Sequence, residues 1–236
     1  MTAPTRWSQR QDAADTPPRT HAHGPSDTVQ GDFVVRFDRP ERILHWVSAT
    51  AVLLAVVTGA ILYVEPLAVA IGRRELVKNL HVATGFAGVV PFLVVMAGPW
   101  RAGLQRDVQR FSMWHDDDVR YLRRRTRPGS DTGKFNGGQK LNAVLLSSAL
   151  VVMVMTGTIM KWFGPFPLEW RSGATFVHDW VSFGLWFLIP AHIIKAIITP
   201  GAVRGMWTGW ARRHEAEARP RWWASMGESA TDRDDG

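Results

Sequence analysis

The chain has 236 residues, a net charge of +7, 46% hydrophobic residues, 12 Trp against 2 Tyr, and no cysteine. Without cysteine it can form no disulfide, thiolate zinc site, iron–sulfur cluster or covalent c-type haem attachment, so any metal must be held by His, Met or carboxylate. No nucleic-acid recognition motif accompanies the arginines, and nucleic acid is not an expected partner.

Residues 1–32 are rich in Thr, Pro, Arg, Asp, Gln and His. They lack apolar periodicity and read as a disordered polar tail, in which His21 and His23 are inert. No apolar core of signal-peptide length precedes position 43, so insertion is expected to rely on the chain's own spans. Four apolar runs follow, at about 43–64, 79–100, 141–160 and 174–195. Each is about twenty residues, the length that crosses the hydrocarbon core as a helix. The expected fold is an all-α membrane protein, a four-transmembrane-helix bundle over 33–213, with a basic, amphiphilic C-terminal tail (214–236) along the membrane surface. Trp46, Trp100, Trp162 and Trp170 sit at run ends, the level favoured by amphipathic rings.

The segments outside the runs set the orientation. Those before the first run, between the second and third, and after the fourth hold 23 Lys and Arg; the other two hold 5. The positive-inside rule places both termini and the 101–140 loop in the cytoplasm. The first and third runs echo each other, with VVTGAIL at 56–62 and VMTGTIM at 154–160. Small residues at helix contacts suffice to produce that echo.

Four histidines stand near the run ends: His45, His81, His178 and His192. His178 and His192 are fourteen positions apart. They therefore leave one side of the fourth helix about 21 Å apart along its axis. With the spans alternating in direction, His45 matches His192 at the inner level and His81 matches His178 at the outer level. Ionisable side chains inside lipid read as functional. Two level-matched pairs on three helices predict bis-histidine ligation of two haems b, with these four residues as axial ligands. Gly85 and Gly88, on the His81 face, and the pairs Thr58–Gly59 and Thr156–Gly157 leave room for a flat macrocycle.

The 101–140 loop carries an arginine run, an acidic run behind His115 (Asp116–Asp118) read as solvated, and Gly133-Lys134-Phe135-Asn136-Gly137-Gly138-Gln139-Lys140. The last lacks phosphate-loop spacing. It reads either as a turn and helix start or as polar groups lining a pocket for a quinone head group.

These residues resemble the gamma (cytochrome b556) subunit of respiratory formate dehydrogenases, over roughly 34–223. The resemblance rests on Arg42-Ile-Leu-His45-Trp46, Asn79-Leu-His81, the 133–140 segment, Val177-His178, Ala191-His192, and Arg204-Gly-Met-Trp-Thr-Gly209 followed by Trp210-Ala-Arg-Arg-His214. It implies a multi-pass subunit of the bacterial inner membrane. A large molybdenum or tungsten subunit oxidises formate, and an iron–sulfur beta subunit delivers the electrons. The outer haem (His81, His178) receives them, and the inner haem (His45, His192) passes them to a quinone, menaquinone or ubiquinone. Family quinone contacts fall on Asn136, Gly138 and Gln139. The polar N-terminal tail and Glu215–Arg219 depart from the family pattern and touch no proposed ligand. The histidines alone also fit the cytochrome b subunit of a membrane hydrogenase or of another molybdoenzyme. A haem-free membrane anchor or transporter is the alternative of another class.

Overall fold

The structure, a computed structural model, describes residues 29–231. In chain order it begins with β1 (Val29–Gln30), β2 (Phe33–Val35), α1 (Arg39–Tyr63), α2 (Glu65–Ile71), α3 (Arg74–Ala87), α4 (Val90–Ala97) and α5 (Arg101–Ser112). There follow α6 (Asp116–Leu122), α7 (Gly137–Lys161), α8 (Leu168–Ile198), α9 (Ala202–Thr208), β3 (Trp210–Arg212), α10 (Arg213–Glu217) and α11 (Pro220–Thr231). The chain forms two units: residues 43–112 with 139–198, and the described residues up to 42 with 113–138 and those from 199 onward.

The first unit holds the bulk of the membrane-spanning helices. Four stretches are long and apolar enough to cross a bilayer: Arg39–Tyr63, Arg74–Ala97, Gly137–Lys161 and Leu168–Ile198. Each expected run is there, and each helix differs from its apolar core by a few residues. The second span is two helices. Pro91 has no N–H to offer the carbonyl four residues back, and the chain breaks at Gly88–Val89 before α4 begins. Pro190 lies inside α8, two residues before His192, and deprives the Trp186 carbonyl of its i+4 donor. Val57, Val151, Phe187 and Ile197 stay exposed along the spans. In water such faces would form patches far larger than soluble proteins carry; against lipid they are the solvated surface. The buried positions are mostly small or polar: Ala51, Thr58, Thr84, Thr156 and Ala174, with Leu185 and Ile189.

The second unit was expected to be a loop and two tails, and it is a folded unit. β1, β2 and β3 form an antiparallel sheet, with Phe33 opposite Arg212 and Val35 opposite Trp210. The boundary expected at residue 32 therefore moves back to include β1. Residues 1–28, with His21 and His23, lie outside the described residues. Val34, Ala211, Ala216 and Trp222 form a buried cluster, so Trp222 of the tail faces inward in place of a membrane surface. Gly209 explains the Arg204–Gly209 motif. It has φ +90°, a region open to glycine, and its carbonyl accepts from the N–H groups of Arg36 (2.8 Å) and Phe37 (3.1 Å). Arg204 pairs with Glu215 at 3.4 Å. Arg36 is buried with its guanidinium over the Phe37 and Trp222 rings, 5.4 and 5.5 Å from their centroids. Burial pushes its pKa down to about 10.

The acidic run at 116–118 is also structural. The Asp118 carboxylate accepts the His115 N–H at 3.1 Å and caps α6. Asp117 takes the Asp131 N–H at 3.1 Å, Arg120 at 2.9 Å and Arg221 at 3.1 Å. Asp131 in turn accepts the Arg221 N–H at 2.7 Å, joining positions 90 residues apart in sequence. The reading of a solvated run is thereby corrected at two of its three positions: Asp118 is fully buried and Asp117 is half-buried, while Asp116 is exposed.

Candidate functional site

All four candidate histidines belong to the membrane unit, and they come together in the expected pairs. The His81 and His178 ring centroids are 6.2 Å apart. Those of His45 and His192 are 6.5 Å apart. Two imidazoles that ligate one metal from opposite sides, each with a metal–nitrogen bond of about 2 Å, stand with centroids about 6 Å apart. A direct contact between two rings would not require that each pair match in depth across separate helices.

Hydrogen bonds on Nδ1 fix how the rings present themselves. His81 Nδ1 lies 3.0 Å from the Ala55 carbonyl and 3.2 Å from Thr58 Oγ1. A carbonyl only accepts, so Nδ1 carries the proton and Nε2 keeps the lone pair. His178 Nδ1 lies 2.9 Å from Thr156 Oγ1. In the other pair, His192 Nδ1 lies 2.9 Å from the Asn142 side-chain amide. His45 Nδ1 is buried with no hydrogen-bond partner among the described residues, and its ring packs edge-on against Trp46 at 5.1 Å.

The glycines divide into three uses. A Cβ on Gly85 would meet nothing within 4 Å, so the α3 face one turn beyond His81 is open, as expected for a macrocycle. A Cβ on Gly88 would stand 3.3 Å from a Val52 methyl; that glycine serves close helix packing. Cβ atoms on Gly59 and Gly157 would face Cε1 of His81 at 3.2 Å and of His178 at 3.6 Å. The Thr-Gly pairs thus seat the His81 and His178 imidazoles, where the sequence reading gave them only the role of leaving space. Asn142 carried no signal beyond being an amide in an apolar run.

The chain is similar to known proteins along most of its length. Residues 36–209 match the prokaryotic cytochrome b561 family. The chain belongs to that family. It is 28% identical over 207 residues to the formate dehydrogenase cytochrome b556(fdo) subunit of Escherichia coli K12, covering 83% of this chain and 94% of that one. It is 26% identical over 199 residues to the formate dehydrogenase cytochrome b556 subunit of Haemophilus influenzae, covering 80% of this chain and 82% of that one. The nitrate-inducible cytochrome b556(Fdn) subunit of E. coli K12 is 24% identical over 206 residues, covering 82% and 91%. As a cytochrome b561 with four apolar helices, this is a multi-pass protein of the bacterial inner membrane.

Family membership implies b-type haem. The residues present fit it: facing imidazoles at ligation distance, a protonated Nδ1 on His81, and an open glycine face beside His81. No cluster of three or more His, Cys, Asp or Glu that could hold another metal exists among the described residues.

The expected quinone contacts form the start of α7. Asn136, Gly138 and Gln139 are half-buried there. Gly137 packs so tightly on α6 that a Cβ would overlap the Asp118 carbonyl, and a Cβ on Gly138 would stand 3.2 Å from the Tyr121 ring. Lys134 is buried, 3.8 Å from Glu41 and over the Phe37 and Phe135 rings. The helix-start reading therefore has a physical basis at Gly137.

Proposed function

We propose that this cytochrome b561 is the di-haem membrane subunit of a respiratory formate dehydrogenase. His45 and His192 hold the inner haem b, and His81 and His178 the outer. The observation that carries the reading is the pair of facing imidazoles at each level, with centroids 6.2 and 6.5 Å apart. When bound, the two haems supply one-electron carriers at two depths, linking a donor outside to a quinone inside. The chain's own residues bind and orient: Nε2 of each imidazole is the ligand atom, and Thr58, Thr156 and Asn142 hold the rings in place. The basic segments set both termini and the 101–140 loop on the cytoplasmic side. Asn136, Gly138 and Gln139 are the proposed contacts for a menaquinone or ubiquinone head group. The named relatives support membership of a formate dehydrogenase complex; the partners proposed within it are an iron–sulfur beta subunit and a molybdenum or tungsten subunit that oxidises formate.

The test is haem content and optical difference spectra of the purified chain, then of the assembled complex. Two b-type haems are expected per chain. His178→Ala should remove the outer one and His192→Ala the inner one. Formate should reduce both haems of the wild-type complex. A chain without b-type bands, or a single His→Ala variant that retains both haems, overturns the assignment. Reduction by hydrogen and not by formate overturns the choice of complex.

A further inference from the structure

We propose that Thr58 and Thr156 are matched positioning residues that hold the outer histidines as strong donors and keep the outer haem at a lower reduction potential than the inner. The inference rests on the di-haem reading above and goes beyond it by assigning an energetic direction to named hydroxyls.

The two seats are built alike. Each threonine is buried on a spanning helix and receives a histidine from the next spanning segment: Thr58 on α1 receives His81 of α3, and Thr156 on α7 receives His178 of α8. Each hydroxyl donates to its own i−4 carbonyl, Thr58 to Leu54 at 2.6 Å and Thr156 to Val152 at 2.8 Å. With its proton so placed, the hydroxyl oxygen faces the imidazole as an acceptor. At His81 the Ala55 carbonyl, three residues before Thr58, accepts from the same ring. The glycine after each threonine leaves the ring space to come that close. The sequence echo VVTGAIL and VMTGTIM is therefore a repeated histidine seat.

The inner pair is held differently. One side-chain amide, from Asn142, stands at His192, and His45 Nδ1 has no partner among the described residues. An acceptor on Nδ1–H makes Nε2 a better donor, and a better donor favours the ferric state. Hydroxyl acceptors on both outer ligands, with a carbonyl beside them at His81, against one amide inside, place the outer potential below the inner. Electrons arriving outside then run downhill.

The experiment is a spectropotentiometric titration of the purified chain, with the two haem components assigned by His178→Ala and His192→Ala. In Thr58→Val/Thr156→Val the shape is kept and the acceptors are lost. Both haems should remain, and the outer midpoint should rise by about tenfold in the oxidised-to-reduced ratio, about 59 mV for one electron. Thr58→Ser/Thr156→Ser should restore the wild-type midpoint. Thr158→Val, which removes a hydroxyl bonded to the Val154 carbonyl, should leave it unmoved. Should the double valine variant lose the outer haem, each single variant is titrated for the same rise. An outer midpoint unmoved in haem-replete valine variants overturns the proposal, as does a wild-type outer midpoint above the inner. A wild-type chain without b-type bands ends the functional reading instead.

Discussion

Adding one methyl group at either of two equivalent glycines should have opposite consequences. In Gly59→Ala the new Cβ stands 3.2 Å from His81 Cε1 and 3.5 Å from Nδ1, so the ring must retreat by a few tenths of an ångström. It cannot do so freely, because the Ala55 carbonyl at 3.0 Å and Thr58 at 3.2 Å hold Nδ1. Overpacking of this kind costs about 1–3 kcal/mol, offset by about 1 kcal/mol from replacing glycine in a helix. The net cost of up to about 2 kcal/mol corresponds to a loss of up to about thirtyfold in outer-haem affinity. In Gly157→Ala the corresponding distances to His178 are 3.6 and 4.0 Å, which is ordinary contact. Only the helix gain remains, about 1 kcal/mol in favour of the folded protein. The assay is haem retained per chain on titration with an apo-globin acceptor, read for the outer component. Equal retention in the two variants, or a weaker outer site in Gly157→Ala than in Gly59→Ala, would refute the claim that His81 is the more tightly seated ring.

Two further predictions concern the second unit. Gly137→Ala forces a Cβ into the Asp118 carbonyl and should destabilise that unit by about 1–3 kcal/mol. Proteolysis within 113–138 should accelerate while haem content per chain stays at the wild-type value. The Asp131 N–H, with help from Arg120 and Arg221, holds the Asp117 carboxyl below the usual carboxylate range. A depressed folded-state pKa gives stability that is present above the unfolded carboxylate value near 4 and lost as pH falls towards the folded one. The unit should loosen below about pH 4, and Asp117→Asn should remove that acid dependence, as followed by Trp222 fluorescence.

What the sequence made legible was whatever the bilayer itself enforces. Four apolar runs, their alternating direction and histidines at matched depths follow from the cost of polar groups in hydrocarbon, so His45/His192 and His81/His178 could be paired before any coordinates. The second unit was not legible, because its strands are two or three residues long and its contacts join three distant stretches. The bonds of Arg221 to Asp117 and Asp131 leave no periodic trace. Pro190 and Pro91 were visible but ambiguous, since only the second interrupts its helix. The Thr-Gly echo was seen and undervalued: spacing alone cannot tell a helix-packing pair from a hydroxyl aimed at an imidazole.

Asn142 offers the sharpest test of how the inner site is set. For His192 to ligate iron through Nε2, Nδ1 must carry the proton and needs an acceptor. The side-chain amide stands 2.9 Å away, and a half-turn exchanges its nitrogen for its oxygen at that position. Asn142→Asp presents oxygen in either orientation, and a charged acceptor bonds about twice as strongly as a neutral one. The inner midpoint should fall, by about 59 mV if the oxidised-to-reduced ratio changes tenfold. The fall should grow as rising pH ionises the introduced carboxyl, since only the carboxylate form is the stronger acceptor. Asn142→Leu removes the acceptor, so the midpoint should rise, with the outer haem unaffected in both variants. If the Asp and Leu variants move the inner midpoint in the same direction, the amide acts through packing and the hydrogen-bond argument fails. Opposite shifts confined to the inner haem require that Nδ1 donate, and with it that Nε2 face the iron.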